Sequence, residues 1–243
     1  MRRHWTLIRF MTSGKILLPI FVYSALRSVD RCIDLRRLDK WRRLRNFPER
    51  LKFLALHANA AFVYNDYAWF FTGHKDVLRF NMNTETWDYV SIKMSEGKKQ
   101  KWPYKDKGLV NPSITLAGHH LYIFGGDIKF GKEGTDSFMV IDLDSLQWRF
   151  LGDSSLYKNA DYPGKYWPPP RCGAGCWFAP HEKRIYLLFG TSEQQDRYNN
   201  PAENPEYDPY YSDLWSYSIK KETWERERVR GNPPCPREDM AIT

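Results

Sequence analysis

From residue 55 onward, apolar and polar positions alternate in short runs broken by polar turns, the period of two that marks half-buried strands. Tyr211-Ser-Asp-Leu-Trp-Ser-Tyr217, the turn Lys220-Lys-Glu-Thr223 and then Trp224 read as a strand, a tight turn and the start of a second strand. The same pattern occurs twice more upstream. A first unit runs through residues 56–64, a turn at Asn65-Asp66, residues 67–73, residues 76–80, a turn at 83–86 and Trp87. A second runs through 111–116, a turn at 117–120, 121–126, 136–141, a turn at 142–146 and Trp148. The third opens at 170–178, turns at 180–183, continues through 184–190 and closes on the stretch ending at Trp224.

The spacing within these units is constant where a hairpin would fix it. Phe80 to Trp87, Ile141 to Trp148 and Tyr217 to Trp224 are each seven residues apart. The step from the unit's glycine (Gly73, Gly126, Gly190) to its tryptophan expands instead, through 14, 22 and 34 residues. Fixed turns beside growing connections predict a repeated four-stranded antiparallel sheet with variable loops on one rim. One such sheet cannot bury both faces, so the units must stack.

Residues 28–54 carry a different period. Leu35, Leu38, Trp41, Leu44 and Phe47 recur every three residues, with Arg36, Arg37, Lys40, Arg42, Arg43 and Arg45 between them. That predicts an amphipathic helix with a basic face, ending near Pro48. The face built from Arg36, Arg37, Arg42, Arg43 and Arg45 suits an anionic lipid, RNA or an acidic partner; a packing helix with solvated charges is the alternative. Before it, Ile16–Leu26 is an apolar run of eleven residues, too short for a helix to span a bilayer, which takes about 20. Five basic residues precede the first acid, Asp30, so a secretory signal, a mitochondrial presequence and a structural or disordered segment all stay open. The cytoplasm is the expected location, with mitochondrial or secretory targeting by residues 1–27 as the alternatives.

Charge sharpens this division. The chain has 243 residues and a net charge of +8, but residues 1–55 hold 14 Lys/Arg against 4 Asp/Glu, and the remainder holds 23 against 25. The body is nearly neutral, so a general nucleic-acid surface is not expected there. The 16% aromatic content suits a pleated sheet. Four cysteines form no disulfide framework, and Cys172-x3-Cys176 lacks a second ligand pair for zinc.

Leu121-Tyr-Ile-Phe-Gly-Gly126, Asp213-Leu-Trp-Ser-Tyr217 and the spaced Trp224 resemble the motif of kelch-type β-propellers, in which a hydrophobic run ending in a double glycine is followed by a spaced Tyr and Trp. The resemblance covers about residues 56–243. The first unit has Thr72-Gly73 and the third Phe189-Gly190, so each lacks one glycine, while Trp is kept in all three. Gly231-Asn-Pro-Pro-Cys-Pro-Arg237 repeats the theme of Pro168-Pro-Pro-Arg171 and reads as the first strand of a fourth blade. The resemblance implies a mainly β fold: a partial propeller of three blades (about 55–92, 110–152 and 168–229) and the start of a fourth at 231–243, behind the basic segment 1–54. Kelch propellers close with more blades, so the chain is expected to be incomplete or a fragment, and to self-associate through exposed sheet. Some fungal kelch proteins are similar and carry a MYND-type zinc finger after the blades; this chain holds no such finger, and nothing about zinc carries over.

No nucleophile elbow, phosphate loop or His-Glu-x-x-His occurs. His119-His120 falls on a predicted turn and reads as a solvated pair. Neither catalysis nor a cofactor or metal is expected. The resemblance implies a non-enzymatic protein-interaction module, with a kelch-type oxidoreductase, or an RNA- or membrane-tethered adaptor working through the basic helix, as alternatives. The tyrosine-rich, acidic connection after Thr191 is the candidate partner loop, with Arg197, Tyr198, Tyr207 and Tyr210 as contacts. The partner itself has no signature in the sequence.

Overall fold

The structure is a computed structural model that describes residues 6–11, 17–22, 61–71, 73–94, 108–128, 134–157, 166–192 and 210–239. The amphipathic stripe at 28–54 lies outside the described residues, as do Arg36, Arg37, Arg42, Arg43 and Arg45. The segment before it contributes strands β1 (Thr6–Met11) and β2 (Leu17–Val22), paired antiparallel. The sequence left a structural segment open among the readings of residues 1–27 but named no strand there. The apolar, β-branched and aromatic content of both segments suits one.

The described residues are mainly β. The first sheet is β3 (Ala61–Tyr64), β4 (Tyr67–Phe70), β5 (Asp76–Asn81) and β6 (Thr86–Ser91), in that spatial order. The second joins β7 (Lys93–Met94), β8 (Ser113–Ala117), β9 (His120–Phe124), β10 (Phe138–Asp142) and β11 (Gln147–Gly152) in the order β7-β11-β10-β9-β8. The third is β12 (Gly175–Ala179), β13 (Arg184–Leu188), β14 (Leu214–Ser218) and β15 (Thr223–Glu227), again in order. All these pairings are antiparallel except β7 with β11.

The seven-residue spacing is hairpin register. Phe80 faces Trp87, Ile141 faces Trp148, and Tyr217 faces Trp224 across the strand pair. Each intervening turn places one residue at positive φ (Glu85, Leu146, Glu222). The parallel strand β7 was not foreseen. The chain leaving the first sheet lays Lys93 and Met94 along β11, which covers an edge that would otherwise stand open.

Period two makes each strand two-faced, and the stack uses both faces. Leu121, Ile123, Met139, Ile141 and Trp148 of the second sheet pack with Trp69, Phe71, Val77 and Val90 of the first. Its other face, with Tyr122, Phe124, Phe138 and Val140, packs with Ile185, Leu187, Trp215, Tyr217 and Trp224 of the third. Phe124 and Phe138 are fully buried, each worth about 1.5–3 kcal/mol by burial alone. Trp224 fills the gap between the sheets, its ring 5.4 Å from Phe124 and 5.0 Å from Phe138.

The glycine that ends the second strand has a steric reason. Gly125 has φ +65°, and a Cβ there would sit 2.2 Å from the Arg171 carbonyl oxygen of the next unit. In the third unit Phe189 occupies the equivalent place with φ 61°, a left-handed strain of about 1–2 kcal/mol borne by a buried ring. Residues 231–239 lead toward the expected fourth-blade strand, whose residues 240–243 lie outside the described residues. Residues 231–239 dock through two backbone bonds: Gly190 N–H donates to Arg237 O (3.1 Å), and Asp239 N–H to Gly173 O (2.9 Å).

Candidate functional site

Two regions at opposite strand ends hold the chemistry. At the end where β9 leaves through Gly125 and β13 through Phe189 lie the long connections. The hairpin turns lie at the other end.

The longest connection has a built base. Thr191 bridges Cys172 on one side and Tyr210 on the other, and Tyr211 N–H donates to Gly190 O (2.9 Å). Arg171 clamps this base. Its guanidinium is wholly buried and bonds Asp213 through two nitrogens, at 2.6 and 2.9 Å. It also donates to Phe189 O (2.9 Å) and Pro169 O (3.2 Å), and lies 4.0 Å from the centre of the Tyr211 ring. The Arg171 backbone holds the second sheet, accepting from Gly126 N–H at 2.8 Å. Burial raises the Asp213 carboxyl, but the Arg171 hydrogen bonds and charge, with a bond from Trp215, override it and hold the group below its ordinary range. Burial raises the Tyr211 phenol. A planar fork and a carboxylate locked together in a dry site make a rigid hinge point for the loop.

Beside this clamp the units are tied by a ladder of residues at positive φ. Gly173 N–H donates to Asn111 O (3.0 Å), Asp239 N–H donates to Gly173 O (2.9 Å), and Asn111 Nδ2 closes the set on Asp239 Oδ1 (2.7 Å). The edge strands β8 and β12 lie side by side here.

Of the sequence-derived contacts, Tyr210 is half-buried at the loop base and bridged to Thr191, so it anchors the loop. Arg197, Tyr198 and Tyr207 lie outside the described residues. Sequence reasoning missed Arg171 and Asp213 as a pair because 42 positions and the whole loop separate them.

At the turn end, His119 and His120 converge on Asp142. Both Nε2 atoms lie 4.0 Å from Asp142 Oδ2, and the rings sit 4.0 Å apart between centres. One ligand atom from each residue falls within 4.8 Å of the others. Burial, and then His119, lowers the His120 imidazole. Burial would raise the Asp142 carboxyl, but backbone N–H bonds from Ser145 and Asp144 and the two imidazoles prevail and lower it. The same end carries two ties between sheets, Tyr64 to Asp144 at 2.6 Å and Arg149 to Glu222 at 2.8 Å.

Against this geometry stand the comparisons with known proteins. No family model matches the chain. Kelch domain-containing protein 3 of Bos taurus and of Homo sapiens each match at 24% identity over 170 residues, 67% of this chain and 36% of the relative. Dynein regulatory complex subunit 7 of Chlamydomonas reinhardtii matches at 25% over 131 residues, 54% of this chain and 9% of that protein. The chain thus spans about a third or less of the curated relatives it matches. The similarity to a kelch-domain protein over two-thirds of the chain, and the strand-rich fold, fit a kelch-like β-propeller.

Proposed function

We propose that this chain is a non-enzymatic protein–protein interaction module of the kelch type, with three stacked blades, and that the connection from Thr191 to Tyr210 is its main contact surface. The observation that carries this reading is the clamp beneath that connection. A repeated scaffold with fixed hairpins holds loops of very different length, and the longest has both ends pinned by Arg171, Asp213 and Tyr211. Loops on a rigid scaffold are where recognition concentrates. The loop's tyrosines and arginine are the residue types that dominate protein interfaces. Similarity to a kelch-domain protein, and to a protein named as a subunit of a complex, supports a partner-binding role.

The test is affinity capture with the full chain against an Arg197→Ala/Tyr198→Ala/Tyr207→Ala variant. The wild-type chain is expected to retain a protein in stoichiometric amount, and the variant, melting at the same temperature, to lose at least about 90% of it. Equal retention by both chains rejects the loop as the contact surface.

A further inference from the structure

The repeat supplies an internal control for the trio at the turn end of the second sheet. His120 pairs with Asp142 across β9 and β10. The same register pairs Tyr67 with Asn81 in the first sheet and Arg184 with Ser218 in the third. The residue before each, the counterpart of His119, is Asp66 or Lys183. The scaffold therefore does not call for two imidazoles and a carboxylate; only the second sheet carries them.

The turn chemistry points the same way. Asn81 Oδ1 accepts the N–H groups of Asn83 and Thr84, both at 2.9 Å. Asp142 Oδ1 does the identical work for Asp144 and Ser145, at 2.9 and 3.0 Å. An asparagine suffices for that turn. The carboxylate at 142 brings a second oxygen that the turn does not use, and this oxygen is equidistant from both imidazoles. Neighbouring residues on a strand ordinarily point to opposite faces. Here His119 ends the turn and His120 begins β9, and their rings lie together instead.

We propose that His119, His120 and Asp142 form a binding site for a divalent transition metal of the zinc or copper class. Imidazole nitrogen and carboxylate oxygen suit those ions. At about 2.0–2.1 Å per bond, a tetrahedral centre spaces its ligand atoms about 3.4 Å apart. The widest pair needs to draw in by at most about 1.4 Å, which half-exposed side chains on a turn do by rotation. Three protein ligands leave a fourth position for water or for a group from another protein. Asp144 adds negative charge nearby, and the opposing charge of Arg149 is engaged by Glu222. The site lies at the end of the strands opposite the Thr191–Tyr210 loop, so it stands independently of the interaction reading.

The test uses the full chain, stripped with chelator and titrated calorimetrically with Zn2+. One high-affinity site is expected. His119→Ala, His120→Tyr and Asp142→Asn should each weaken it at least about tenfold. Tyr and Asn are the residues the first sheet already carries at those two places, so those variants keep the hairpin. Electron paramagnetic resonance of the wild-type chain with one equivalent of Cu2+ should show coupling to two imidazole nitrogens. Absence of a Zn2+ site, an affinity within threefold of wild type in any of the three variants, or a Cu2+ spectrum without two nitrogens overturns the assignment.

Discussion

Arg171 and Asp213, 42 positions apart, meet in a two-pronged ion pair with the guanidinium fully buried. The pair closes the base of the longest connection, while the Arg171 backbone carries the second sheet. Stripping one partner strands a buried charge. Arg171→Met is expected to cost about 3–5 kcal/mol in urea-induced unfolding. A cost below about 1 kcal/mol would show that the clamp is not a structural tie.

The same pair sets an acid limit. The Asp213 carboxyl is held below its ordinary value, so its contribution is complete above the unfolded carboxylate range, near pH 4, and is lost as pH falls through the depressed folded value. Melting temperature between pH 5 and pH 2 should therefore fall more steeply for the wild-type chain than for Asp213→Asn, although the variant starts lower. Parallel slopes would contradict this.

Gly125→Ala should destabilise by about 2–5 kcal/mol, from the left-handed backbone and from a Cβ driven into the Arg171 carbonyl. Gly118 is the control: its φ is +66° and nothing lies within 4 Å of an added Cβ, so Gly118→Ala should cost only about 1 kcal/mol. Equal losses at the two positions would mean that the close approach between units carries no weight.

Trp224→Ala should cost about 3–5 kcal/mol, because the ring contacts Phe124, Phe138, Trp167 and Tyr217 together. The measurement is denaturant unfolding, and Trp224→Phe should recover part of the loss.

The cysteines should separate by reactivity. Burial pushes the Cys176 thiol far up, while Cys235 is exposed. With iodoacetamide at neutral pH, mass spectrometry should find the exposed Cys235 alkylated first and the half-buried Cys176 more slowly.

The hairpins and their stacking were legible because local rules set them. A seven-residue gap around a polar turn is antiparallel register, and Phe80–Trp87, Ile141–Trp148 and Tyr217–Trp224 all obey it. What joins the units was not legible. Arg171 finds Asp213 across the long connection of its own unit, its backbone meets Gly126 of the unit before, and Asn111 finds Asp239 over 128 positions, none of which leaves a periodic trace. Strand β7 is two residues long, too short to show any period. The approach of His119-His120 to Asp142 was not legible either, because Asp142 belongs to another hairpin and only the β9–β10 register sets it opposite His120.

The central claim is that the rim loop above the Arg171 clamp receives a protein partner. Its most direct test places a photo-crosslinking amino acid at Tyr198 or Tyr207 in the full chain, and at exposed Glu225 on β15 as control. A single protein crosslinked from the loop positions, absent from Glu225 and displaced by excess unlabelled chain, is the predicted result. Crosslinking that is equal at Glu225, or absent from both loop positions, would contradict it.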